Sequence, residues 1–174
     1  MVGRLARYHD MAILSQGDPE RSPSTDTIEG ALFTSGRPVL VVPYIFRGDV
    51  RFETILVAWD ESQTAARAFA DALPLLAVAH RVQVVRVAEL TDEAAGRFLP
   101  AAVRHLSRHG IEAEGKTLFS VGDVASTLLS HAADVGADLL VMGGYGHSRL
   151  REVVLGGATR EILRSMTLPV LMSH

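Results

Sequence analysis

From residue 53 to the end of the chain, strand-length apolar runs alternate with helix-length amphipathic stretches. Thr54 to Trp59 is apolar without interruption, as a strand buried on both faces must be. Ser62 can cap a helix reaching about Ala79, with Ala65, Phe69, Ala72 and Leu76 on one stripe and Pro74 bending it. Val82 to Val87 is the next strand. Thr91 can cap a second helix, whose stripe is Ala95, Phe98, Leu99, Ala102, Val103 and Leu106, ending near Gly110. Ala113 to Phe119 alternates apolar with polar, which suits a half-exposed edge strand. Asp123 can cap a third helix, with Val124, Leu128, Ala132 and Val135 inward and Gly136 as its stop. Leu139 to Met142 and Pro169 to Met172 supply two more strands.

Strands joined by helices of this length form right-handed βαβ units in a parallel sheet with both faces covered. The expected fold is α/β: a five-stranded parallel open sheet, order 3-2-1-4-5, with helices on both faces. Ligands in such sheets bind beyond the carboxyl ends of the strands, where strand order reverses. Asp60 closes the first strand and Gly143 the fourth, so both are expected in one crevice. There the chain reads Gly143, Gly144, Tyr145, Gly146, then nine residues, then Gly156 and Gly157. Glycines let main chain approach a ligand closely. The helix beginning there, with Ala158 and Thr159 in its first turn, offers free N–H groups to an anion. A phosphate-bearing nucleotide is the ligand this pattern suits. The competing interpretation of the glycines is a tight turn before a helix.

Residues 1–52 echo the end of the chain. His9 to Leu14 parallels Ala137 to Met142, and Ile28 to Val42 parallels Thr159 to Ser173. Strand, helix and strand recur without the elements that should precede them. Such a fragment cannot bury a core alone, so it is expected to dock on the main unit, residues 53–174, or on another chain. Its own strand-to-helix segment, residues 17–27, lacks the spaced glycines and is not expected to hold phosphate.

Together these residues resemble the universal stress protein family. The nucleotide-binding members of that family carry G-x-x-G, nine residues, then G-S/T after the fourth strand. Gly143, Gly146 and Gly156 match the glycines. Ile55 to Ser62 matches the strand-one signature, including Ala58, Trp59 and Asp60, and Leu168 to Met172 matches the closing strand. The chain thus looks like a tandem member lacking most of its first domain. The resemblance implies ATP or AMP as ligand, with magnesium an optional companion. Ala58, Val87 and Met142 would line the base; Asp60 would accept from the ribose or the adenine amine; Tyr145 would stack or cover the loop. Asp60's competing role is to cap the helix after it. The family's hydroxyl after the last glycine is replaced by Gly157, for which Thr159 could substitute. Family domains pair through their last strands, so a homo-oligomer is expected, with Pro38 to Pro43 pairing beside Leu168 to Met172 within this chain.

Composition narrows the rest. With 48% hydrophobic residues among 174, a full core can form. The net charge of −3 and the absence of like-charge runs argue against a nucleic-acid or anionic-membrane binder. There is no cysteine, so thiol chemistry is excluded. The run Pro38 to Phe46 is too short to span a bilayer, and residues 1–10 have no signal-peptide core. A cytoplasmic location is expected. His105 and His109, four apart on a helix, lack a third ligand nearby, so no metal site is expected. His147, Arg149 and Arg151 could screen phosphate or form a solvated cationic loop. No arrangement demands catalysis: Walker and nucleophile-elbow motifs are absent. Asp60 is the clear acid of the crevice; Glu61 and Asp123 are further carboxylates without an assigned place. The favoured function is a ligand-responsive binding and signalling module. The alternatives are an interaction protein without nucleotide and a weak nucleotide hydrolase.

Overall fold

A computed structural model describes the whole chain apart from residues 19–23, 49, 93–95, 121 and 147–156. After a one-turn helix α1 (Val2–Ala6) come β1 (Ala12–Ser15), α2 (Thr25–Ser35), β2 (Val39–Val42) and β3 (Thr54–Ala58). They are followed by α3 (Gln63–Leu76), β4 (Arg81–Glu89), α4 (Leu99–Arg108), β5 (Glu114–Ser120) and α5 (Val124–Val135). The chain closes with β6 (Leu139–Gly143), α6 (Gly157–Ser165) and β7 (Val170–Ser173).

The sheet has seven strands, not five, in the order β1-β2-β7-β6-β3-β4-β5. Its last five positions carry the expected order. The two additional strands come from residues 1–52, which join the main sheet instead of docking on its surface. Every pairing is parallel except β2 with β7, where Val39 faces Met172, Leu40 faces Leu171 and Val41 faces Val170. Corresponding main-chain bonds recur on either side of this junction. Ala12 N donates to Pro38 O and Leu140 N to Pro169 O, each at 3.0 Å; Gln16 N donates to Val42 O and Gly144 N to Ser173 O, each at 2.8 Å.

Helices cover both faces. Phe69, Ala72 and Leu76 of α3 and Leu99, Ala102 and Leu106 of α4 bury against Ile55, Val57, Val84 and Leu171. On the other face, Ile28 and Leu32 of α2, Leu128 and Ala132 of α5, and Ile162 and Leu163 of α6 enclose Leu56, Val85, Leu140 and Met172. Burying one such side chain stabilises by about 1.5–3 kcal/mol, so these stripes hold the layers together.

Local signals held at several helix ends. The Ser62 hydroxyl accepts from Ala65 N, and Gly136 ends α5 in the left-handed conformation at φ 64°. Two elements differ from expectation. Helix α4 starts at Leu99, with Pro100 in its first turn, because Thr91 lies in the turn that ends β4. In α5 the buried residues are Ala125, Leu128, His131 and Ala132, while Val124 is 42% exposed. The stripe is rotated by one position because the buried polar chain described below draws His131 inward.

Candidate functional site

Strands β3 and β6 lie side by side at the centre of the sheet, with Val57 paired to Val141. Three residues beyond Val57 stands Asp60; two beyond Val141 stands Gly143. The loops leaving both strands therefore meet at one corner. Asp60 is exposed, and its Oδ1 accepts from Ser62 N at 3.0 Å. Ser62 caps α3 and shares a hydrogen bond of 3.1 Å with Thr64. A Cβ on Gly146 would lie 3.2 Å from Ser62 Oγ and 2.6 Å from Thr64 Oγ1. A Cβ on Gly143 would lie 2.6 Å from Ala65 N. Glycine is thus required at 143 and 146 by the first turn of α3, a packing reason that spacing alone does not disclose. Gly156 lies outside the described residues, as do His147, Arg149 and Arg151.

Gly157 begins α6, and a Cβ there would meet nothing within 4 Å. Thr159 is buried, and its Oγ1 accepts from Tyr145 N at 3.2 Å, which ties the helix start to the loop after β6. Ala158 precedes it in the same turn. Ala58, Val87 and Met142 all pack on the α5–α6 face of the sheet, where they can form one apolar wall. Trp59, by strand alternation, turns its ring to the opposite face against Phe69, with centroids 5.4 Å apart. Its Nε1 is buried with no hydrogen-bond partner among the described residues. Tyr145 faces the N-terminal segment: its ring lies 5.2 Å from Phe33, and its hydroxyl donates to Glu29 at 2.5 Å. Burial pushes that hydroxyl's pKa well up, and the Glu29 carboxylate adds to the effect.

The two non-glycine residues with positive φ among those described are Glu61 at 65° and Tyr145 at 55°. They stand in the two loops of this corner. Glu61 is held there by Arg86 Nη1 at 2.8 Å, and Arg86 also reaches Asp92 at 3.7 Å. Asp123 spends both oxygens capping α5, on Ala125 N and Ser126 N, and those bonds hold its carboxyl below the usual range. Neither carboxylate is left uncommitted in the structure. His105 and His109 stack with centroids 4.9 Å apart. No group of three or more metal-ligating side chains occurs among the described residues.

A second polar feature escaped sequence reasoning. The ring of His131, on α5, bonds through Nε2 to Gln83 Oε1; Gln83 Nε2 donates to Glu114 Oε1 at 2.7 Å, and Arg81 Nη2 bonds the same oxygen at 2.6 Å. Burial holds the His131 pKa below the ordinary histidine value, and the charge of Lys116 adds to this. Beside it, Thr117, Ser120, Ser126, Ser130 and His131 line an open cleft of about 540 Å³ between β5 and α5. This cleft is away from the β3–β6 corner.

A doubly covered sheet with its ligand-facing corner at the β3–β6 switch defines an α/β protein of nucleotide-fold architecture. The sequence profile of the universal stress protein family matches residues 51–174, and the chain belongs to that family. It is 32% identical over 139 residues to universal stress protein Slr1230 of Synechocystis, a match covering 78% of this chain and 46% of that one. The chain therefore spans about half the length of that relative. A universal stress family structure from Burkholderia pseudomallei is 30% identical with a TM-score of 0.58, covering 72% of this chain and 98% of its own. One from Archaeoglobus fulgidus shares the fold over 98% of this chain and 64% of its own, at 19% identity and a TM-score of 0.73. Two more distant family structures share the fold: one in complex with cAMP, at 22% identity and TM-score 0.52, and one from Arabidopsis thaliana with AMP bound, at 17% and 0.50. Among the described residues, no helix is long and apolar enough to cross a membrane.

Proposed function

We propose that this chain is an adenine-nucleotide-binding module of the universal stress family, acting by ligand-dependent contacts and not by turnover. The observation that carries the proposal is the convergence of two strained loops on one corner. Left-handed φ at a residue other than glycine costs about 1–3 kcal/mol and persists where the surroundings require it. Glu61 and Tyr145 both take that conformation, beside the exposed Asp60 carboxylate and the open start of α6. In this reading the phosphates rest on the loop after β6 and on the first turn of α6, from Gly156 through Gly157, Ala158 and Thr159. Ala58, Val87 and Met142 wall the base, and Asp60 accepts from the ribose or the adenine amine. The cAMP- and AMP-bound relatives support an adenine ligand. ATP belongs to the same chemical class, and a magnesium ion would be held mainly by its phosphates. The reading places the protein in the cytoplasm, where such nucleotides are at hand.

Residues 1–52 are interpreted as the closing strand–helix–strand of a second unit of the same kind, and 53–174 as the complete nucleotide unit. The close contacts of Gly143 and Gly146 with Thr64 favour one competing reading, a docking protein that binds no nucleotide. Isothermal titration of the full chain with ATP, AMP and cAMP separates the two. Saturable binding, weakened about ten-fold (~1.4 kcal/mol) by Asp60→Ala, is expected. Absence of binding at millimolar nucleotide rejects the module and leaves the docking protein. A turnover assay on the same samples tests the hydrolase reading, which requires Asp60→Ala to lower the rate. Assembly through edge strands belongs to the same proposal; because β2 already occupies β7, the open edges among the described residues are β1 and β5.

A further inference from the structure

We propose that the open edge of β1 is a docking site for a parallel strand and the helix following it, a unit built like β3–α3 and supplied by another polypeptide. The inference is independent of nucleotide binding. It rests on the correspondence between β1–β2 and β6–β7, whose main-chain bonds match on either side of the antiparallel junction. In that correspondence β1 stands for β6. Strand β6 carries β3 on its second edge, parallel, whereas β1 carries no strand on that edge. Ala12 and Gln16 donate to β2, so by alternation the amides of Ile13 and Ser15 point to the free side.

Two side chains define the occupant. Asp138, just before β6, accepts from Glu53 N at 3.1 Å and from Thr54 N at 2.9 Å, and so receives the first amides of the incoming parallel strand. Asp10 holds the same place before β1. It is exposed and has no hydrogen-bond or ion-pair partner among the described residues. Its carboxylate complements the paired N–H groups of a strand start. Val141, on β6, is fully buried beneath α3. Its counterpart Ile13 is 64% exposed on the same face of the sheet. A strand would satisfy the amides and Asp10; the helix after it would cover Ile13.

A second copy of this chain does not supply these parts. Its β3–α3 unit is held between its own β4 and β6. Two β1 edges meeting about a two-fold axis would run antiparallel, and Asp10 would then face the end of a strand instead of its start. Relatives, by contrast, have chain to spare: the Archaeoglobus fulgidus match leaves part of that chain beyond the shared fold, and the Synechocystis relative is about twice as long.

The test uses the full chain and a fluorescent peptide with the sequence of residues 53–79. A saturable rise in anisotropy is expected, weakened about ten-fold by Asp10→Ala, less by Asp10→Asn, and abolished by Ile13→Lys. Both positions are on the surface, so the variants should fold. Hydrogen exchange gives a second readout: at saturation the Ile13 and Ser15 amides slow, and Ala12 does not change. The proposal is overturned if no saturable binding occurs, or if Asp10→Ala and Ile13→Lys bind like the parent. It is also overturned if the chain alone sediments as a dimer that Ile13→Lys dissociates, since a second copy then covers the edge.

Discussion

Two equivalent strands of this sheet leave it in different ways. After β1 the chain reads Ser15, Gln16, Gly17; after β6 it reads Gly143, Gly144, Tyr145, Gly146. Gln16 is buried, and its amide is fully used: Nε2 donates to Leu163 O at 2.7 Å and Arg164 O at 3.2 Å, and Oε1 accepts from Tyr44 N at 3.1 Å. It closes its own strand end and satisfies carbonyls in the last turn of α6. Gly144 occupies the matching position and carries no side chain, because a Cβ there would lie 2.7 Å from Leu32 Cδ2 of α2. The same strand-to-helix geometry thus gives a plug at one end and a bare crevice at the other. What separates them is whether a side chain at one position reaches the helix across the junction.

The largest expected effect tests the crevice end. Gly143→Val forces a Cβ against Ala65 N and Thr64 C, which are main-chain atoms that cannot rotate away. A loss of about 3 kcal/mol in urea unfolding is expected. Ser15→Val, at the matching exposed position of β1, should stay within about 0.5 kcal/mol. Equal losses at the two sites would break the comparison.

The plug end comes next. Gln16→Ala strands two helix carbonyls and one amide, for about 2 kcal/mol by calorimetry. Gly144→Ala should cost less, about 1 kcal/mol, because the atom it meets is the end of a rotatable leucine. The reverse ranking would mean that Gln16 is not the seal.

His131 marks a place where neither end contributes. Its pKa is lowered in the folded state, so the unfolded chain binds more protons. Stability is then complete above the ordinary histidine value of about 6.5 and falls as the pH drops below it, at up to about 1.4 kcal/mol per pH unit. The decline stops once the pH passes the lowered folded-state value. In His131→Gln this part of the pH dependence of the urea midpoint should vanish; an unchanged profile assigns it to other groups.

The smallest change sharpens the crevice. Gly157→Ser places a hydroxyl in open space at the start of α6, with a stability gain below about 1 kcal/mol. If phosphate rests there, titration should show several-fold tighter nucleotide binding. A hydroxyl that changes nothing moves the phosphate elsewhere.

Much of the frame was legible because periodicity is local. The apolar runs of β3 and β6 and the stripe of α3 follow from spacing alone, as do the Ser62, Asp123 and Gly136 caps. The apposition of Asp60 and Gly143 followed from strand order. Other features were hidden for physical reasons. Val124 and His131 exchanged places because the Gln83–Glu114 chain rewards a buried imidazole, and no hydrophobicity pattern encodes that. The left-handed turn of Glu61 depends on Arg86 from another strand. Trp59 is adjacent to Asp60 in sequence, yet strand alternation sends its ring to the other face.

Spacing of apolar and capping residues was sufficient by itself for the alternating elements, the parallel core and the echo between the two ends of the chain. Each depends on contacts a few residues apart. Tertiary structure decided the antiparallel β2–β7 junction, the Gln16 latch onto a residue 147 positions away, and the tight seat of Gly143 and Gly146 on α3. Those depend on surfaces brought together only after the sheet has formed, and an excluded volume or a distant carbonyl leaves no mark in local spacing.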